Sequence, residues 1–345
     1  MRNVKNVKCG GLEFGCGKIY VQSMLNVPAD NVEKSVEQAK ALEKAGCELI
    51  RAAVPKVEDA KLITALKNAV TVPIVCDIHF DYKIALACVE AGVDKVRINP
   101  GNIGGADKVK AVADACRKRG VPIRIGVNGG SLEKELLAKY GKPTPEALVE
   151  SALNHVKLLN DADFDDIVIS IKSSNVKLMI EAYRLLASKT AHPLHLGVTE
   201  AGTERMGLIK SSVGIGSLLC DGIGDTIRVS LTADPVKEVY AARDILKACG
   251  MSTGVEIVSC PTCGRTQIDL ISLANQVEEM LKNVDKPIKV AVMGCVVNGP
   301  GEAREADIGV AGGKGEGLIF KMGEILRKVP ESMILTELKK EIDKL

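Results

Sequence analysis

Three cysteines in the last third of the chain carry its most specific chemistry. Ser259-Cys260-Pro-Thr-Cys263-Gly-Arg-Thr-Gln267 is followed, after an amphipathic run, by Met293-Gly-Cys295-Val-Val-Asn-Gly-Pro-Gly-Glu302. A Cys-x-x-Cys pair lets two thiolates leave one tight turn toward a common point. Cys295 ends an apolar run over 288–293 that closes in glycine, so a third thiolate can reach the same metal. A structural zinc site wants a closed set of four sulfur or imidazole ligands, and this segment offers three cysteines and no histidine. An iron–sulfur cluster also usually takes four cysteines, so three leave one iron for a weaker ligand or for substrate. Gly294, Gly299, Pro300 and Gly301 suit a backbone wrapped close to a bulky inorganic core, and Glu302 is the fourth ligand this reading assigns. Cys249 is the alternative fourth ligand, and structural zinc is the alternative metal.

A second set of chemical residues lies upstream, at the ends of short β-rich runs. Such runs fall at 19–23, 49–54, 74–78, 95–99, 123–127, 167–172, 194–199 and 226–231, and amphipathic segments separate them at 31–45, 57–68, 81–91, 106–119, 145–159, 174–190, 203–216 and 235–249. Alternating β and α units imply a parallel sheet with right-handed crossovers. Eight of them in about 245 residues predict an N-terminal TIM (β/α)8 barrel, with a doubly wound open sheet as the alternative. Residues 4–14, with a Cys-Gly-Gly turn, are expected to form a hairpin plugging the barrel floor. After Cys249-Gly250 the rhythm changes. Strands at 255–259, 288–293, 307–311 and 317–322 and helices at 267–283 and 330–345 predict a small α+β iron–sulfur domain, with boundaries at 1–249 and 250–345.

In such a barrel the strand C-termini hold the site, because that face carries the βα loops. The residues there are Arg51; Asp77 and His79; Arg97 and Asn99; Arg124 and Asn128; Lys172; Glu200; Arg228 and Ser230. Side chains alternate along a strand, so Arg97 shares a face with Asn99, Arg124 with Asn128, and Arg228 with Ser230. Each arginine alone could be a structural ion pair. Arg51, Arg97, Arg124, Lys172 and Arg228 together exceed what Asp77 and Glu200 can neutralise, and an uncompensated buried charge costs several kcal/mol. The expected ligand is therefore a polyanion, and bidentate guanidinium recognition points to phosphate groups. Asp77 and His79 are read as ligand-binding, with a metal pair as the alternative. Glu200 is a candidate proton donor or an ion-pair partner. Asn99-Pro-Gly-Asn-Ile-Gly could cradle phosphate at a helix start or be an ordinary βα turn. Gly309-Val-Ala-Gly-Gly-Lys-Gly lacks the phosphate-loop spacing and reads as a strand-connecting turn.

Composition sets the limits of these readings. A chain of 345 residues that is 46% hydrophobic can bury a large core in one big domain plus a smaller one. Net charge of +2 gives no global pull toward nucleic acid or membrane, so any anion site must be local. Aromatic residues at 3% with no Trp argue against the stacking platforms of single-strand nucleic-acid binders. Eleven cysteines, most within apolar runs, read as free thiols of a reducing cytosol. The N-terminus has no apolar signal core, and no run approaches a membrane span. A soluble cytoplasmic protein is expected.

Taken together, these motifs are highly specific. Val21-Gln-Ser-Met24, Cys76-Asp-Ile-His79-Phe, Val96-Arg-Ile-Asn-Pro-Gly-Asn102, Ile123-Arg-Ile-Gly-Val-Asn128, Ser170-Ile-Lys-Ser-Ser174, Gly197-Val-Thr-Glu200-Ala-Gly and Ile227-Arg-Val-Ser230 join the two cysteine motifs. Over nearly its whole length the chain resembles the bacterial 4-hydroxy-3-methylbut-2-en-1-yl diphosphate synthase family of the non-mevalonate isoprenoid pathway, in its short form without a large inserted domain. The resemblance implies a 4Fe-4S cluster on Cys260, Cys263, Cys295 and Glu302 in a domain of sulfite-reductase-like α+β type. It implies reductive opening of a cyclic diphosphate, ferredoxin or flavodoxin as electron donor, and a homodimer pairing the barrel of one subunit with the cluster domain of the other. It also casts the arginines and Lys172 as diphosphate ligands and Glu200 as an aid to proton delivery. A phosphate-binding barrel with a structural zinc module, acting as lyase or transferase, is the competing reading.

Overall fold

The computed structural model describes residues 2–345 apart from 79, 100–101, 253, 283, 285, 297–300 and 302, and describes residue 131 by its backbone alone. The chain divides into two compact units, Met1–Cys249 and Gly250–Leu345.

The first unit opens with an antiparallel hairpin, β1 (Val7–Cys9) and β2 (Leu12–Phe14), turning at Gly10 with φ +57°. Eight parallel strands follow: β3 (Tyr20–Met24), β4 (Leu49–Ala53), β5 (Ile74–Asp77), β6 (Lys95–Ile98), β7 (Ile123–Asn128), β8 (Ile167–Lys172), β9 (His195–Leu196) and β10 (Thr226–Ile227). Their order is β8-β7-β6-β5-β4-β3-β10-β9, and a parallel bridge between Ile169 and Leu194 joins the two ends, which closes the barrel. Outer helices include Val32–Lys44, Ala106–Arg119, Pro145–Asp161 and Glu204–Cys220. Local signals set their ends. Asn31 accepts a hydrogen bond from the Lys34 N–H at 3.2 Å, Thr144 caps a helix whose first residue is Pro145, and Gly120 in the left-handed region stops the helix before it.

Strand parity builds two cores. Val96, Ile98, Ile123, Ile125, Ile169 and Ile171 face outward into the layer between sheet and helices. Inside, at the end where the strands begin, Val7, Cys9 and Phe14 of the hairpin pack with Tyr20, Leu49, Val75 and Val168. The hairpin therefore does plug the floor.

Several expected boundaries shift for identifiable reasons. The runs at 194–199 and 226–231 pair over only two residues each, because Gly197 and Arg228 onward bend away into the site loops. The segment at 57–68 is a 3-10 turn, Val57–Ala60, followed by the helix Lys61–Ala69. The helix expected to end at Gly216 runs on to Cys220, and Gly214 lets it pack closely under Val198. A Cβ on Gly214 would sit 2.8 Å from Val198. A short helix, Lys134–Tyr140, was not expected.

In the second unit β11 (Glu256–Ser259), β12 (Lys289–Met293), β13 (Ile308–Gly313), β14 (Glu316–Lys321) and β15 (Glu324–Pro330) form one sheet in sequence order. The first three are parallel and the last three antiparallel. Helices Leu270–Leu281 and Ile334–Ile342 cover one face, burying Leu270, Val277, Ile334 and Leu338 against Val290, Val292, Val310 and Ile319. Strand β15 is a correction: 330–345 was read as one helix, whereas Pro330 ends a strand and the helix starts only at Ile334. The glycine run at 309–313 is also strand rather than turn, the turn being Lys314-Gly315. Gly309 is glycine because the Phe320 ring lies across it on the paired strand.

Candidate functional site: a cationic barrel mouth and a three-thiol sheet edge

The interior of the barrel is charged where its strands end. On β6 the outward pair Val96 and Ile98 leaves Arg97, and Lys95 at the strand's start, facing in; on β7 Arg124 and Gly126 face in; on β4 it is Arg51. Asp77 stands between two guanidinium groups, accepting from Arg51 Nη2 and from Arg97 Nη1, the latter at 3.0 Å. Register accounts for this, since Asp77 pairs with Arg97 on one side and with Ala53 on the other. Gly126 is part of the same construction. A Cβ there would lie 2.6 Å from Arg97 Nε, so only glycine leaves room for that guanidinium.

One carboxylate thus serves two arginines, and a third cation has none. Arg124 is fully buried, and its Nε, Nη1 and Nη2 all lack hydrogen-bond partners among the described residues. Burial, reinforced by Arg51 and Arg97, pushes its proton affinity well below the ordinary guanidinium value. Lys172, paired in register with Asn128, is brought down to about 6 by burial and then by Arg51, Arg97 and Arg124. Arg228 approaches Glu238 at 3.6 Å and Met24 Sδ at 3.4 Å, leaving its Nε unpartnered. Arg51 Nε, Arg97 Nε and Arg97 Nη2 are further donors with no partner among the described residues, and Asn128 Oδ1 is an acceptor with none. A set of buried donors with no acceptor among the described residues is a strong signature of a bound anion. A cleft of about 360 Å³ opens here, walled by Arg51, Arg124, Lys172, His195, Arg228 and Ser230.

Not every expected residue joins that wall. Asp77, Arg97, Asn99 and Asn128 lie outside it; Asp77 and Arg97 act on it through Arg51 and Arg124. Glu200 is exposed in a turn with φ +51° and has no place in the wall, and the acid that meets Arg228 is Glu238. His79 and part of the Asn99-Pro-Gly turn lie outside the described residues.

Sequence reasoning missed three groups. Glu238, buried on the inner face of the helix Pro235–Ala248, also accepts from Ser23 Oγ at 3.3 Å and from the Leu231 N–H at 2.9 Å. Its signal was a carboxylate on an otherwise apolar helix face. His195 lines the cleft with Nδ1 2.7 Å from Thr226 Oγ1. Burial and then Arg124, Lys95 and Arg51 hold its ring neutral. Its signal was period-2 parity with Gly197 and Thr199. Gln22, buried on β3, leaves both amide atoms unpartnered inside the barrel.

In the second unit Cys260 follows β11 and Cys295 follows β12 and Gly294, so both leave the same edge of two adjacent parallel strands. The Gly294 N–H donates to Cys260 Sγ at 3.1 Å, the kind of contact that tunes a metal-bound sulfur. Cys263 is exposed on a turn closed by Thr266 N–H to Cys263 O at 3.0 Å and Cys263 N–H to Thr266 Oγ1 at 3.1 Å. Hydrogen bonds from Arg265 hold its thiol below the usual value. Gly294 packs against Thr266 and Leu270, where a Cβ would come within about 3.0 Å. Among the described residues no three His, Cys, Asp or Glu side chains converge tightly enough to enclose a metal. Glu302 lies outside the described residues. Cys260 and Cys295 at one sheet edge, with Cys263 on the turn that follows Cys260, are soft donors whose chemistry suits an iron–sulfur group.

Residues 4–243 match the GcpE TIM-barrel domain and residues 256–344 the GcpE protein C-terminal domain. The chain is 59% identical to a 4-hydroxy-3-methylbut-2-en-1-yl diphosphate synthase (flavodoxin) of Clostridium perfringens, over 99% of both chains. It is 56% identical to the Fusobacterium nucleatum protein of that name, over 99% of this chain and 97% of the relative. Among solved structures, the dihydropteroate synthase of Stenotrophomonas maltophilia matches 70% of this chain and 96% of its own with a TM-score of 0.53 at 18% identity. The Xanthomonas albilineans enzyme matches 71% and 98% with a TM-score of 0.52 at 16% identity. Those two likenesses speak to the barrel fold alone. Matched in both of its units and over its full length, the chain belongs to the GcpE family of 4-hydroxy-3-methylbut-2-en-1-yl diphosphate synthases.

Proposed function

We propose that this chain reductively opens 2-C-methyl-D-erythritol 2,4-cyclodiphosphate to (E)-4-hydroxy-3-methylbut-2-enyl diphosphate and water, in the non-mevalonate isoprenoid pathway. The observation that carries this reading is the guanidinium set around Arg124, buried and short of acceptors, in a chain whose relatives at 54–59% identity bear that enzyme's name. A structural zinc module on a lyase or transferase is not favoured, because family members require an iron–sulfur cluster. Cys260, Cys263, Cys295 and Glu302 would hold it as 4Fe-4S, and when bound it supplies the two electrons.

The remaining roles belong to the chain's own side chains. Arg51, Arg124, Lys172, Arg228 and Ser230 bind the diphosphate oxygens, while Asp77 holds Arg51 and Arg97 by hydrogen bonds from behind. Asn99, Asn128 and His79 orient the ligand, and Glu200 assists proton delivery from its loop. Flavodoxin is the proposed electron donor, as the relatives' names indicate, with ferredoxin as the other protein of that class. The working form is a homodimer. Support comes from the helix Glu204–Cys220, which buries Gly207, Gly214, Ile215 and Leu218 on one side and exposes Met206, Ile209 and Val213 on the other. Several exposed apolar side chains grouped on one helix are the kind of surface a partner covers. No helix among the described residues is long and apolar enough to cross a membrane, and a cytoplasmic location is proposed.

Anaerobic reconstitution with iron and sulfide tests the reading. Expected are a brown protein bleached by dithionite and conversion of the cyclic diphosphate with reduced flavodoxin. A colourless, zinc-loaded protein with no turnover would refute it.

A further inference from the structure

The barrel floor contains one residue that does not belong in a floor. Leu49, Val75 and Val168 pack there with the hairpin's Val7, Cys9 and Phe14. Lys95 sits among them at the start of β6, with no exposed surface and no hydrogen-bond partner for Nζ among the described residues. Parity places it on the same inward face as Arg97. Its nearest acid in sequence, Asp94, is engaged elsewhere, accepting from Lys67 at 2.7 Å and from the Ile74 N–H at 2.8 Å. Lys95 instead lies 4.6 Å from the centre of the Phe14 ring and within the field of Arg51 and Arg124, which repel it. Burial lowers its proton affinity to about 8, so it is still mostly charged at neutral pH.

An aromatic face and a Cys9 thiol that burial pushes up to about 11 are weak compensation for a desolvated ammonium in the field of two guanidinium groups. Packing alone would put an apolar side chain here, as Val75 is on β5 and Val168 on β8. We propose that Lys95 is a positioning residue for the anion site, a cation set on the barrel floor so that its field holds the diphosphate end of the ligand in the mouth above. This rests on the diphosphate reading given above. The charge destabilises the empty barrel and is balanced only when an anion enters, so stability and affinity must move in opposite directions when it is removed.

The test is Lys95→Met in the full chain, which keeps volume and removes charge. Three quantities are read: melting temperature without ligand, affinity for inorganic pyrophosphate by calorimetry, and KM and kcat of the reconstituted enzyme. Expected are an unchanged or higher melting temperature and about 10-fold weaker pyrophosphate binding, with the kinetic loss lying in KM more than in kcat. Phe14→Leu is the control: it loosens the hairpin but keeps the ammonium, and should lower the melting temperature without changing KM. Equal pyrophosphate affinity in Lys95→Met and wild type overturns the proposal. A lower melting temperature or failure to fold overturns it as well, assigning Lys95 to clamping the hairpin. If pyrophosphate binding falls as expected but wild type does not turn over the cyclic diphosphate, the inference stands and the assigned reaction fails.

Discussion

Ligand binding at the barrel mouth should draw in a proton, and Lys172 should be its destination. Burial and the neighbouring Arg51, Arg97 and Arg124 bring Lys172 down to about 6, against an ordinary value of 10.5. At pH 7.5 a group titrating there is about 97% neutral, from the roughly 1.5-unit difference. A diphosphate carrying two or more negative charges reverses the sign of that environment and moves Lys172 back toward its ordinary value. Binding at pH 7.5 then takes up about one proton at this residue, and affinity falls by up to about tenfold per pH unit above 6. The assay is calorimetric titration with pyrophosphate in buffers of different ionisation enthalpy, comparing wild type with Lys172→Met so that the ligand's own protons cancel. The slopes should differ by about one proton. Stability carries the matching sign. Because the folded value lies below the unfolded one, the unfolded chain binds more protons between about pH 6 and 10.5, so this group makes the unliganded protein more stable as pH rises across that window. Equal slopes in the two proteins, or wild-type stability that does not steepen relative to Lys172→Met over that range, would refute the reasoning.

Other substitutions probe the rest of the assembly. Arg124→Met removes a buried guanidinium with three unpartnered nitrogens. Two charge-assisted contacts at about 1.5–3 kcal/mol each predict an affinity loss of about 10²-fold or more, with no fall in melting temperature; calorimetry and thermal melting check both. Gly126→Ala puts a methyl 2.6 Å from Arg97 Nε, and should raise KM by displacing that side chain while costing about 1–3 kcal/mol in denaturant titration. Cys263→Ser should lose the iron and the visible absorption on reconstitution while the barrel's melting transition stays in place; iron analysis of the purified variant decides it.

What the sequence made legible, and what it hid, follows from how each feature is encoded. The barrel was readable because outward positions such as Val96, Ile98, Ile123 and Ile125 form apolar runs at strand spacing, and the charged residues between them stood out by parity. Strand β15 was hidden because it is an edge strand with most side chains exposed, Glu324 through Arg327 carrying no alternation. Glu238 and His195 were hidden for a different reason: each sits in an element read by its apolar neighbours, and its meaning lies in a partner distant in sequence, Arg228 in one case and Thr226 in the other. Charge counting recovered the conclusion without the right partner. Five cations were set against Asp77 and Glu200; the fold sets them against Asp77 and Glu238, and adds Lys95 on the floor. The excess of positive charge survives that exchange, because Asp77 is divided between two arginines and Glu238 is partly engaged by Ser23 and the Leu231 N–H. A barrel interior left this far out of balance holds together in water by leaning on depressed proton affinities at Lys172 and Lys95. That ties the preference for a highly charged ligand to the cost of standing empty, and makes loss of charge at the mouth the change that should strengthen the fold while weakening its grip on the ligand.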